Sequence, residues 1–135
     1  MNLRIDPASA TPIYAQIVEQ VRSLVASRAL RPGDLLPSVR DLAVTLRVNR
    51  NTAAKAYQML EADGVLETRA GQGSFVGQAA PRWSREERYR RVEHAVDRAL
   101  VEAHHADVPL EEVPPIVEKR IRSFTRRAPR GGQER

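Results

Sequence analysis

The feature that most constrains this chain is a pair of short, capped helical segments set three residues apart and followed at once by a glycine-flanked hairpin. The first opens in Leu36-Pro37-Ser38-Val39-Arg40-Asp41-Leu42-Ala43, where the Ser38 hydroxyl and the Asp41 carboxylate can satisfy the free N–H groups of a helix start. The second opens at Asn49-Arg50-Asn51-Thr52 and runs to Asp63, with Asn49 as its N-cap. Its Ala53, Ala56, Tyr57 and Leu60 fall on one face at helical spacing, and Gly64 ends it as a residue free to turn left-handed. The Leu46-Arg47-Val48 connection is tight, so the two segments make a helix-turn-helix with Arg50, Asn51 and Lys55 off its buried face. Val65 to Arg69 and Ser74 to Val76 then read as short strands, joined by a turn that Gly71 and Gly73 release for positive φ.

Other elements complete a small domain around this block. Leu3 and Ile5 alternate with polar neighbours and suit an edge strand or an arm. Thr11-Pro12 starts a helix with Pro12 at the first helical position, and its stripe of Ile13, Tyr14, Ile17, Val18, Val21, Leu24 and Val25 continues to about Leu30. Pro32-Gly33-Asp34 is a turn, and Leu35-Leu36 offers the hairpin a third strand.

Residues 1–77 thus form one unit, and 78–83 read as a linker without periodicity. A long helix follows from Ser84, whose spacing to Glu87 is a second capping box, to about His105, with Val92, Val96, Ala99, Leu100 and Ala103 on its apolar stripe. Asp107-Val108-Pro109 breaks it. Ile116, Val117, Ile121 and Phe124 define another helix that starts near Pro114, since an interior proline costs about 3 kcal/mol. Residues 84–125 form this helical region, and the basic tail 126–135 is read as disordered. Two such helices cannot bury their stripes alone, and a second copy of the chain is the economical partner.

The block resembles the winged helix-turn-helix of GntR-type transcription regulators over residues 11–76. The resemblance rests on the Pro-Ser-x-Arg-x-Leu-Ala start, the Asn-Arg-Asn-Thr helix start, the Leu-Glu-x-x-Gly end and the Arg-x-Gly-x-Gly-Ser-Phe-Val wing. The short two-helix C-terminal region is similar to that of the YtrA-type branch; MocR-type regulators share the head but carry a long aminotransferase-like domain. The resemblance implies an α+β, mainly α fold: a winged helix-turn-helix followed by a two-helix dimerisation region. It also implies a double-stranded DNA operator as partner, a homodimer, repression, and control of transporter genes. The DNA-binding residues it points to are Ser38, Arg40, Asn49, Arg50, Asn51, Thr52, Lys55, Arg69, Gly71, Gln72 and Gly73. Arg50 is the first choice for reading guanine; Arg40 matches a family position that contacts DNA, and Lys55 suits a phosphate. Asn49 either caps its helix or contacts adenine or phosphate. Ala54 stands where the family often places an arginine.

Charge and composition narrow the alternatives. The chain of 135 residues has a net charge of +5, and its segments 1–76, 77–118 and 119–135 carry +2, −3 and +6. The middle segment is therefore the least suited to phosphate. The basic cluster Lys119, Arg120, Arg122, Arg126, Arg127 and Arg130, like Arg22, Arg28 and Arg47, reads as solvated charge. With no cysteine there is no disulfide or thiolate zinc site, and no apolar run approaches a membrane span or signal peptide, which points to the cytoplasm. His104 and His105 project about 100° apart on a helix and share an ion poorly. No catalytic pair, metal site or cofactor box is expected, and no polar set marks a pocket, although an unidentified small effector could enter between the dimer helices. The competing reading is a protein-docking module that binds DNA only nonspecifically.

Overall fold

The computed structural model describes residues 1–78 and 83–127. Its elements are α1 (Ile13–Ala26), α2 (Val39–Leu46), α3 (Arg50–Ala62), β1 (Leu66–Arg69), β2 (Gly73–Val76), α4 (Arg85–His105) and, after a 3-10 turn over Leu110–Glu112, α5 (Val113–Arg127). They fall into two compact units, one ending after the β1–β2 hairpin and one built from α4 and α5. The architecture is α+β and mainly α.

In the first unit, Ile17, Val21, Leu42, Leu60 and Val76 are fully buried, so all three helices and the hairpin feed one core. Pro12 caps α1 with an extended backbone (φ −56°, ψ 148°), one position outside the first-turn place expected for it. The helix also stops at Ala26, short of Leu30. Arg28 turns left-handed (φ 61°) and the Leu30 amide bonds back to the Leu24 carbonyl at 3.0 Å, which brings Leu30 onto the core.

Leu3 and Ile5 form an arm rather than a strand, and two glutamines of α1 hold it. Gln16, itself buried, accepts from the Asp6 amide and donates to the Asp6 and Thr11 carbonyls, each at 2.9 Å. Gln20 exchanges two hydrogen bonds with the Arg4 backbone, at 2.8 and 2.7 Å. These bonds satisfy peptide groups that a sheet neighbour would otherwise have paired.

The hairpin is antiparallel, pairing Leu66 with Val76, Glu67 with Phe75, Thr68 with Ser74 and Arg69 with Gly73. The third strand expected of Leu35-Leu36 shrinks to a single bridge from Leu35 to Phe75. The approach is still well bonded: the Leu36 amide donates to Ser74, the Gly33 amide to Val76 and the Val76 amide to Asp34, at 2.8–2.9 Å.

The second unit has a different physical character, for no residue of α4 is buried. The Ser84 hydroxyl accepts the Glu87 amide at 3.1 Å, but the Glu87 carboxylate does not return to close the expected box. It clamps Arg90 and Arg91 instead, at 2.9 and 3.1 Å, and their guanidinium groups hold its pKa below the usual carboxylate value. Trp83, read as linker, lies under the Arg91 guanidinium at 3.6 Å. α5 begins at Val113, so Pro114 and Pro115 occupy its first turn, where no amide donor is needed. It extends to Arg127, so Arg126 and Arg127 are helical rather than part of a disordered tail; residues 128–135 and linker residues 79–82 lie outside the described residues.

Gly77 closes the first unit. Its amide donates to the Val65 carbonyl at 2.8 Å, and a Cβ there would stand 2.4 Å from the Gly64 carbonyl oxygen. Backbone cannot yield as a flexible side chain can, so Gly77→Ala should lower the unfolding free energy by about 1–3 kcal/mol. Urea titration of the variant against wild type measures this; an unchanged midpoint would refute the close-packing account.

Candidate nucleic-acid interface

The helix-turn-helix is built so that α3 buries one side and bares the other. Ala53, Ala56, Tyr57 and Leu60 are buried, while Arg50, Asn51 and Lys55 are exposed and Thr52 and Ala54 half-buried. At 13 residues the helix is about 20 Å long, which suits a major groove about 12 Å wide. The Asn49 Oδ1 accepts the Asn51 amide at 2.7 Å, so of the two roles open to Asn49 the structure shows the cap. Arg47 turns left-handed (φ 56°) between α2 and α3.

At the start of α2, the Ser38 Oγ accepts the Asp41 amide at 3.0 Å and Arg40 is exposed in the first turn. Neither Arg40 nor Arg50 has a side-chain hydrogen bond or ion pair among the described residues. Their guanidinium groups are thus free to meet another molecule without first breaking an internal contact. Tyr57 ties the body of α3 to the start of α2: its phenol donates to the Pro37 carbonyl at 2.6 Å, immediately before Ser38.

The wing places Gly71, Gln72 and Gly73 on the surface, with Gly71 at φ 72° and Gly73 at φ 113°. Gln72 and Gly73 line one shallow depression with Ser38, which joins the wing tip to the start of α2. Arg69 is half-buried, 3.6 Å from the Glu67 carboxylate and 4.2 Å from the centre of the Phe75 ring. Lys55 likewise stands over an aromatic ring, that of Tyr14 on α1, at 3.9 Å.

Sequence reasoning missed both aromatic supports, because each pairs residues from different elements. It also took Arg22 for solvated charge. Arg22 forms an ion pair with Asp63, the C-cap of α3, and so ties α1 to the far end of that helix. Asp63 two residues behind Glu61 gave no signal of a specific partner. The pair is on the surface and contributes about 0–1 kcal/mol.

In the second unit, Val92, Val96, Ala99, Ile116, Val117, Ile121 and Phe124 are exposed, and Leu100 and Ala103 half-buried. Ala99, Ala103, Ile116, Val117, Ile121 and Phe124 line an open apolar groove of about 610 Å³ between α4 and α5. His104 and His105 end α4 with ring centres 6.1 Å apart. Among the described residues no group of three His, Cys, Asp or Glu could hold a metal ion, and no helix is long and apolar enough to cross a membrane.

This geometry defines a winged helix-turn-helix protein of the DNA-binding class. The profile of the bacterial regulatory proteins of the gntR family matches residues 13–76. The HTH-type transcriptional repressor YtrA of Bacillus subtilis is 39% identical over 111 residues, which cover 82% of this chain and 85% of that one. The chain belongs to the GntR family of transcription regulators and is of YtrA type, so it is a DNA-binding regulator and not an enzyme. The crystal structure of a transcriptional antiterminator from Listeria monocytogenes EGD-e superposes with a TM-score of 0.78 at 27% identity, covering 92% of each chain. The DNA-binding domain of AraR, solved in complex with operator ORX1, matches 56% of this chain and 93% of its own at 31% identity and a TM-score of 0.50.

The Tyr57 contact generates a prediction in pH. Burial disfavours the phenolate and pushes the Tyr57 pKa up from 10.0 to about 12. A pKa raised in the folded state means that the stability is fully present below pH 10 and is lost as pH rises through 12. Tyr57→Phe should cost about 1–2 kcal/mol near neutrality, where the Pro37 carbonyl loses its donor, and should flatten the alkaline loss. Urea midpoints at neutral and alkaline pH for the two proteins measure it; parallel alkaline losses would rule out Tyr57 as their source.

Proposed function

We propose that the chain is a homodimeric repressor that reads a palindromic operator with its two α3 helices. The observation that carries the reading is the first turn of α3, where Arg50 and Asn51 are exposed on a helix anchored through its opposite face. In this reading the Arg50 guanidinium takes guanine O6 and N7 together, and Asn51 meets adenine or phosphate. Arg40, Ser38, Thr52 and Lys55 meet backbone phosphates and fix the register. Asn49 keeps its side chain on the cap. Arg69, Gly71, Gln72 and Gly73 carry the wing along the minor groove.

Dimerisation is supported by the exposed apolar stripe of the second unit, Val92, Val96, Ile116, Val117, Ile121 and Phe124, which water covers in a single chain. A two-fold pair turns two identical readers toward two half-sites, and hence toward a palindrome. Repression is supported by the likeness to the Bacillus subtilis repressor, since a small dimer on a promoter blocks polymerase without further machinery. Control of transporter genes follows from the resemblance to YtrA-type regulators alone, whereas a cytoplasmic location rests on the cysteine-free sequence without a signal-peptide or membrane-spanning run. A small effector remains part of this reading only as a guest of the groove between α4 and α5.

Two measurements test it. Fluorescence anisotropy on the chain's own upstream DNA against a scrambled fragment should show a clear preference, and Arg50→Ala should remove about 1–3 kcal/mol of that discrimination. Equal, steeply salt-dependent binding to both DNAs would leave the charge effect alone and favour the docking module. Sedimentation analysis should show a dimer that Ile121→Glu dissociates, because a carboxylate cannot be buried unpaired in an apolar seam. A monomeric wild type that still binds its operator would overturn the two-fold arrangement.

A further inference from the structure

Among the basic residues of the reading face, Lys55 is supported from outside its own helix. It projects from the second turn of α3, and its ammonium stands 3.9 Å from the centre of the Tyr14 ring. Tyr14 belongs to the first turn of α1, and its ring is half-buried against the hydrophobic core. The ring is therefore a fixed platform, while the ammonium it carries stays exposed and has no ion pair among the described residues.

The chemistry of this pair favours presentation over storage. An aromatic face attracts the ammonium through its quadrupole without neutralising its charge, so the N–H donors directed away from the ring stay available. A carboxylate in the same place would have neutralised the charge and opposed an incoming phosphate. A lysine on a flexible four-carbon stem otherwise loses much rotamer freedom when it is fixed on a ligand. We propose that Tyr14 is a positioning residue for DNA binding: its ring holds the Lys55 ammonium in place for a backbone phosphate before the DNA arrives. The proposal rests on the DNA-reading function above and adds α1 to the elements that set affinity. It gives Lys55 the sequence-independent role and leaves base discrimination to Arg50.

A double-mutant cycle in the intact protein separates positioning from packing. The variants are Lys55→Met, Tyr14→Leu, Tyr14→Phe and the Tyr14→Leu/Lys55→Met pair, each measured by anisotropy on the upstream and the scrambled DNA over a salt series. Lys55→Met should reduce the slope of log K against log salt by about 0.9, the signature of one lost phosphate contact. Tyr14→Leu should weaken binding by about three- to tenfold when Lys55 is present and leave affinity unchanged when it is Met. Tyr14→Phe, which keeps the ring, should bind like wild type. Thermal melts identify any general loss of folding, and the Phe variant keeps the test valid if Leu disturbs the core.

An equal loss from Tyr14→Leu in both backgrounds would assign Tyr14 to packing and overturn the proposal. So would an unchanged salt slope in Lys55→Met. Failure of the function itself shows differently: no preference for the upstream DNA and no effect of Arg50→Ala. The coupling between Tyr14 and Lys55 would then still be decided on the scrambled fragment, where phosphate contacts carry the nonspecific affinity.

Discussion

The structure depends on how α3 is held. Ala53 and Ala56 are wholly inaccessible, and their small side chains let neighbouring backbone approach the helix closely. Tyr57 then reaches out of the same face to the Pro37 carbonyl, so the face that packs α3 also fixes the start of α2. A helix pinned along one side cannot rotate, and its other side keeps a constant orientation toward a groove. The guanine contact proposed for Arg50 needs that constancy, because a bidentate contact tolerates little misplacement. The apolar stripe of α3 is thus as much a part of the reading device as the polar one.

Local information carried the sequence reading far. The caps at Ser38, Asn49 and Ser84 are bonds between a side chain and an amide two or three residues away, and such bonds are visible in any short window. At the end of α1, where the reading failed, and at the N-terminal arm, where it had left two choices, the deciding partner was distant. α1 stops early because Leu30 has a place in the core, and the arm avoids a sheet because Gln16 and Gln20 pair its backbone across ten and sixteen positions. The Glu87 carboxylate had a local alternative that pattern alone could not weigh: two arginines one turn ahead outcompete a single amide behind it. The charges of the site were legible as residue types, but not the surfaces beneath them.

Those surfaces give the scarce aromatic residues a common theme. The chain has one Trp, three Tyr and two Phe. Tyr57 is buried in the core, while Tyr14 and Phe75 each underlie a cation of the reading unit and Trp83 underlies one at the start of α4. A flat ring orients a long basic side chain without neutralising it, which an acidic partner would do. Arg69 has both kinds of neighbour. Its position between Glu67 and Phe75 makes the wing less electropositive than a bare arginine would, which suits the groove-following role proposed for it.

The two units divide the energetic work unequally. The first has a closed core and bonded backbone, so it is a finished folding unit; the second leaves its large apolar side chains on the surface, with Ile121 58% exposed. Burial of such a stripe is worth roughly 25 cal/mol per Å², and in the proposed dimer that stabilisation becomes available only on association. Folding of α4 and α5, pairing of chains and occupancy of two half-sites are then linked equilibria. The second head binds at the effective concentration set by the connection between units, so moderate contacts by each α3 suffice for tight binding by the pair. In the proposed dimer, a change in the groove between α4 and α5 would therefore alter operator occupancy without involving the residues proposed to meet DNA.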